Sequence, residues 1–130
     1  MGKMTPSKED YLRVLLKEHN SDKVICSKNI AADLNVSKAS VSRMMSTFKQ
    51  CGLIDMEKYG FIQLTKKGRD GAIKIEKRFN IIKSFLKTVL AMNDVDATKE
   101  ACKMEHAISS ETAEKINCLT ERLSNQVWKN

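Results

Sequence analysis

Residues 27–43 read Ser27-Lys28-Asn29-Ile30-Ala31-Ala32-Asp33-Leu34-Asn35-Val36-Ser37-Lys38-Ala39-Ser40-Val41-Ser42-Arg43. Ile30, Ala31 and Leu34 recur at helical spacing, so Ser27 opens a short helix. Asn35-Val36 makes a tight turn. Ser37 caps a second helix that runs to Gln50, with Val41, Met44, Met45 and Phe48 inward, and Gly52 closes it. Upstream, Pro6 suits a first helical turn and Ser7 with Asp10 has capping-box spacing; Tyr11, Leu12, Leu15 and Leu16 give that helix its apolar face, ending near Asn20-Ser21. Downstream, residues 53–58 read as a strand, Tyr59-Gly60 as a turn and residues 61–64 as the returning strand. Helix, short helix, tight turn, helix and hairpin is the order of a winged helix–turn–helix.

In that architecture the helix from Ser37 reads DNA. Its first turns offer Ser37, Lys38, Ala39, Ser40, Ser42 and Arg43, short hydroxyls and cations suited to phosphates and base edges of a major groove. Arg43 is the candidate for a bidentate base contact and Lys38 for phosphate. Lys58 and Tyr59 form the wing tip, with Lys66 and Lys67 nearby for the backbone. Ordinary capping chemistry would also place serines and a lysine at a helix start. Charge supports the DNA assignment: residues 1–90 hold 18 Lys and Arg against 9 Asp and Glu, a balance of +9, whereas residues 91–130 hold 5 against 7, a balance of −2.

Thr65 caps a long helix. Along it Ala72, Ile75, Phe79, Ile82, Leu86 and Val89 recur at alternating gaps of three and four, a stripe that predicts packing on another helix. Gly68 and Gly71 either weaken its start or permit close approach. Asn93-Asp94 opens a further helix, and Ser109 a last one with Ala113, Ile116, Leu119, Leu123 and Val127 on its apolar side. The expected fold is mainly α: a winged helix–turn–helix domain with a small two-stranded wing over residues 1–72, then an all-helical domain over 73–130. Four cysteines, at 26, 51, 102 and 118, include no C-x-x-C pair, which argues against a zinc ribbon or a thioredoxin motif. The first residues lack an apolar run, so no signal peptide is expected. Lys83 and Lys87 interrupt the longest apolar helix, so no membrane span is expected either. Cysteines kept as thiols in a reducing cytoplasm suit this composition.

The second chemical motif is Glu100-Ala101-Cys102-Lys103-Met104-Glu105-His106. On a helix, Cys102, Glu105 and His106 share one face at i, i+3 and i+4. Ala101 and Ile108 aim the carboxylate at an apolar surface, where an unpaired charge is costly and something must neutralise it. A divalent metal would do so, and thiolate, carboxylate and imidazole are all common ligands. A helix with a buried cysteine and two half-exposed polar neighbours has the same spacing. Cys102 and His106 also meet the distance for a nucleophile and base, but no glycine-rich loop, oxyanion signature or third group accompanies them, so neither an enzyme nor a small-molecule substrate is expected. His19, the other histidine, reads as a surface residue.

Both halves resemble one family, the metal-dependent repressors of the diphtheria-toxin-repressor group, nearer in length to the manganese-transport-regulator branch. The likeness rests on Thr5-Pro6-Ser7 with Glu9-Asp10-Tyr11-Leu12, on Val36-Ser37 and Ser40-Val41-Ser42 with Gly52-Leu53-Ile54, on Leu64-Thr65 and Gly68, and on Glu100-Ala101-Cys102 with Glu105-His106. It implies a homodimer on double-stranded operator DNA, with residues 73–130 as the metal-binding and dimerisation domain. It implies a metal site of Asp10, Cys102, Glu105 and His106, and genes of metal uptake as targets. The SH3-like domain of longer members is not in this sequence.

Three departures bear on the metal. Phe79 stands where members with a second ion have histidine, Arg13 where the manganese type has a carboxylate, and Lys83 where the iron type has an acid. One ion per subunit is therefore expected. Thiolate and imidazole favour Fe(II), Co(II) or Zn(II), while Asp10 and Glu105 also suit Mn(II); Fe(II) and Mn(II) come first. Ala39 replaces a proline of many members, so the operator sequence is not implied. The alternative is a winged-helix regulator that does not sense metal.

Overall fold

The computed structural model describes residues 7–21, 24–57 and 60–129. Pro6, Lys58 and Tyr59, named above, lie outside them. The chain divides into two compact units, residues 1–74 and 75–130.

The first unit grows from well-capped helices. Ser7 accepts from Asp10 N at 3.3 Å and the Asp10 carboxylate accepts from Ser7 N at 2.9 Å, so both halves of a capping box start α1 (Lys8–Asn20). α2 (Ser27–Leu34) stops at Asn35, whose φ of 54° is left-handed, a conformation asparagine tolerates. Ser37 caps α3 (Lys38–Gln50) by accepting from Ser40 N. At its end Leu53 N donates to Phe48 O at 2.9 Å and Gly52 N to Lys49 O at 3.1 Å, with Gly52 at φ 76°. That Schellman geometry needs a residue free of a Cβ penalty, which is why glycine closes this helix.

β1 (Ile54–Met56) and β2 (Ile62–Leu64) pair antiparallel with Ile54 opposite Leu64. Both are shorter than the sequence suggested, because Gly60 N donates to Glu57 O and the hairpin has begun to turn at Glu57. Ile62 N also donates to Ile25 O at 3.0 Å, adding a bridge before α2. Leu15, Ile30, Val41, Met45, Phe48, Ile54 and Ile62 are buried together with Tyr11, whose ring meets Phe48 edge-on at 6.4 Å.

α4 (Lys66–Thr88) begins in this unit. The Thr65 hydroxyl accepts from Gly68 N at 3.1 Å and donates to Gly52 O at 2.6 Å. A Cβ on Gly68 would lie 3.2 Å from Leu53 Cα, 2.9 Å from its carbonyl carbon and nearer still to its oxygen. Close approach is therefore the reason for Gly68. Gly71 has nothing within 4 Å and is no such contact.

The second unit holds the rest of α4, α5 (Asp94–Glu105) and α6 (Ser110–Lys129). Phe79, Ile82 and Leu86 of the predicted stripe pack with Ala97 and Ala101 of α5, the small side chains letting the helices approach. Half-buried Phe85, Met92, Cys102, Met104 and Ile108 complete the cluster. Between the helices Met92 N donates to Leu86 O and Ala91 takes a left-handed φ of 56°. Asn93 caps α5 through Asp96 N, and Ser109 caps α6 through Thr112 N. Lys87 at 2.9 Å and Lys83 at 3.3 Å hold the Asp94 carboxylate and keep its pKa below the ordinary 3.8. On α6 Ala113 is buried, whereas Leu119 on the apolar side of the helix is 39% exposed. The side chain of Val127 is outside the described residues. Among the described residues no helix is long and apolar enough to cross a membrane.

Candidate metal centre and nucleic-acid interface

The start of α3 turns its polar side outward. Ser37, Lys38, Ala39, Ser42 and Arg43 are exposed and Ser40 is half-buried, while Val41, Met45 and Phe48 anchor the opposite side. The hydroxyls are linked: Ser37 donates to Ser40 Oγ at 3.0 Å, and Arg43 Nη2 donates to the same oxygen at 3.4 Å. Arg43 is thus held by its own helix with most of its donors still available. Burial pushes the Tyr11 phenol above its ordinary pKa, and the nearby positive charge of Arg43 opposes that rise. Near the other end of α3, Lys67 donates to Cys51 O at 2.9 Å, so one cation assigned to DNA backbone also has a role within the fold.

The second site centres on Glu105, the last residue of α5, 1% exposed. Arg78 Nη2 donates to Glu105 Oε1 at 2.6 Å, and Arg78 Nε donates to the Glu105 backbone oxygen at 3.2 Å. His106 Nδ1 lies 2.9 Å from Glu105 Oε2. His106 is the C-cap of α5, one residue past the helical stretch that the spacing suggested. Cys102 is half-buried one turn earlier, against the apolar cluster. The carboxylate that the sequence left in need of a counter-charge therefore has a guanidinium. Pattern reading missed Arg78, which is a cation from another helix and leaves no mark near Glu105.

The donor chemistry of Cys102, Glu105 and His106 fits a divalent ion of borderline softness. Among the described residues, however, no three His, Cys, Asp or Glu side chains stand together as a ready cage. Asp10, the ligand implied by resemblance, serves the capping box of α1 and has Arg13 Nη1 3.8 Å from Oδ1. The three departures each have a local role: Phe79 is core, Arg13 faces Asp10, and Lys83 faces Asp94. His19 is exposed, as expected.

Comparison with known proteins places both halves of the chain in one family. Residues 3–62 match the family model "Iron dependent repressor, N-terminal DNA binding domain", and residues 65–128 match "Iron dependent repressor, metal binding and dimerisation domain". An uncharacterised HTH-type transcriptional regulator of Methanocaldococcus jannaschii is 34% identical over 125 residues, 95% of this chain and 100% of that one. The HTH-type transcriptional regulator MntR of Oceanobacillus iheyensis is 28% identical, covering 88% of this chain and 78% of that one. The solved structure of the manganese regulator SloR superposes with a TM-score of 0.83 at 30% identity, over 91% of this chain and 55% of that one. The chain thus spans about half the length of that solved structure. With both domain models matched in order and a relative aligned from end to end, the chain belongs to the iron-dependent repressor family, metal-dependent transcriptional regulators built on a winged-helix DNA-binding domain.

Proposed function

We propose that the protein is a homodimeric, cytoplasmic repressor of metal-uptake genes whose affinity for operator DNA depends on a divalent ion. Fe(II) and Mn(II) are the leading ions, with Zn(II) and Co(II) behind them, one per subunit. The observation that carries this reading is Glu105. It is a carboxylate 1% exposed, beside an imidazole and one turn from a thiol, inside the half of the chain that matches a metal-binding domain. Cys102, Glu105 and His106 would hold the ion, with Asp10 as the fourth ligand by family resemblance.

When bound, the ion would supply a concentrated positive charge that fixes its ligands in one arrangement. The chain's own groups do the rest. Glu105 would contribute carboxylate oxygen to the ion, and His106 a ring nitrogen. On the DNA side Lys38 meets phosphate, and Arg43, steadied by Ser40, presents paired donors to a base edge. Two copies of α3, one per subunit, would enter successive major grooves.

One observation favours the second reading, a winged-helix regulator indifferent to metal: Arg78 already meets the charge of Glu105. A single experiment separates the two. Metal-stripped protein is titrated onto a duplex selected from a random pool, with each ion added in turn. The metal-switch reading expects tight binding with Fe(II) or Mn(II) and weak binding in chelator. Equal affinity under all conditions refutes it and leaves the second.

A further inference from the structure

We propose that Arg78 is an internal competitor for the ion, its guanidinium bonded to the buried Glu105 carboxylate that a metal would need and so setting how much metal the protein requires. The inference rests on the metal reading above and adds the element that tunes it. Glu105 has two oxygens. Arg78 Nη2 takes Oε1 at 2.6 Å, and His106 Nδ1 stands 2.9 Å from Oε2. With the residue 1% exposed, no solvent-facing edge of the carboxylate remains for a cation to approach. Like charges repel strongly in such a poorly screened place, so a divalent ion and the guanidinium cannot both hold this one carboxylate comfortably. One must yield.

The geometry gives Arg78 a way to yield. Its side chain is 22% exposed, so Nη2 has a path to water. Its Nε is bonded to the Glu105 backbone oxygen at the C-terminal end of α5, where the helix dipole also favours a cation. Arg78 can therefore keep its anchor at the helix end while releasing the carboxylate. The exchange costs the ion part of its binding free energy at every occupancy. It also prevents a bare buried carboxylate from seizing whatever cation is at hand.

A purely structural ion pair and a competitor predict opposite results. Removing a structural partner would leave metal affinity unchanged or weaken it. Removing a competitor tightens it. The test is calorimetric titration of Zn(II) and of Mn(II) into metal-stripped full chain, as wild type, Arg78→Lys and Arg78→Gln. The competitor role expects Arg78→Gln to bind about tenfold tighter or more, and Arg78→Lys, which keeps the charge, to stay near wild type. It also expects a larger metal-induced rise in Tm for Arg78→Gln. Affinity equal to or below wild type in Arg78→Gln overturns the proposal while the metal site stands. Should Arg78→Gln fail to fold without metal, arginine side-chain NMR of wild type decides. Arg78 guanidinium signals that shift at saturating Zn(II) support the exchange; unchanged signals overturn it. No ion bound by the wild type overturns the metal reading and this inference together.

Discussion

Gly68→Ala and Gly71→Ala should change stability in opposite directions although the two positions lie one turn apart in α4. In an exposed helix interior, glycine to alanine gains about 1 kcal/mol from propensity alone. At Gly71 nothing lies within 4 Å of the new methyl, so the gain should be realised, about 0.5–1 kcal/mol. At Gly68 the methyl would press on the Leu53 backbone, which has no rotamer to give. Overpacking of that kind costs about 1–3 kcal/mol. Leu53 O is also the acceptor for Thr65 N at 3.1 Å, and losing that bond costs about 1 kcal/mol. Thr65 caps α4 and holds Gly52 O, and a loosened cap costs about 1 kcal/mol more. Set against the propensity gain, the net loss is roughly 2–4 kcal/mol. Urea unfolding followed by circular dichroism reads both variants, a shifted midpoint at constant slope reporting stability. A Gly68→Ala protein as stable as wild type would refute the close-approach argument.

Ala91→Gly should stabilise the protein, since alanine at φ 56° carries a steric cost of about 1 kcal/mol that glycine lacks; thermal unfolding checks it, and a lower Tm would count against the strain. The lysines beside Asp94 lower its folded pKa, so its stabilising contribution is complete above the ordinary 3.8 and is lost as pH falls through the lower folded value. Asp94→Asn should accordingly weaken the pH dependence of stability in that acid range, as read by unfolding midpoints against pH. Arg43→Ala should relax base preference, costing about 1–3 kcal/mol on the selected duplex and less on random DNA, whereas Lys38→Ala should weaken both alike; binding assays at several salt concentrations distinguish them.

What was legible in the sequence was chemistry with its partner close by. Ser7, Ser37, Asn93 and Ser109 all cap helices as their patterns indicated, since a cap acts within a single turn. Gly52 was equally readable. Gly68 was readable only as one of two possibilities, because Leu53 reaches it through folding and not through local order. The same limit governed the second site. Spacing puts Cys102, Glu105 and His106 on one expected helix face and indicates that the carboxylate needs a counter-charge. It could not show that Arg78 would meet the need, because that residue stands 27 positions earlier, on another helix. The strands were overestimated because residues suited to a strand continue into a turn.

The pairing of Arg78 with Glu105 has a consequence for how the protein comes into being. Many small metal-binding domains emerge from synthesis unable to fold until their ion arrives. Here the buried carboxylate is neutralised by a side chain of the same polypeptide. A newly made chain can therefore bury Glu105 and complete this core before any ion reaches it.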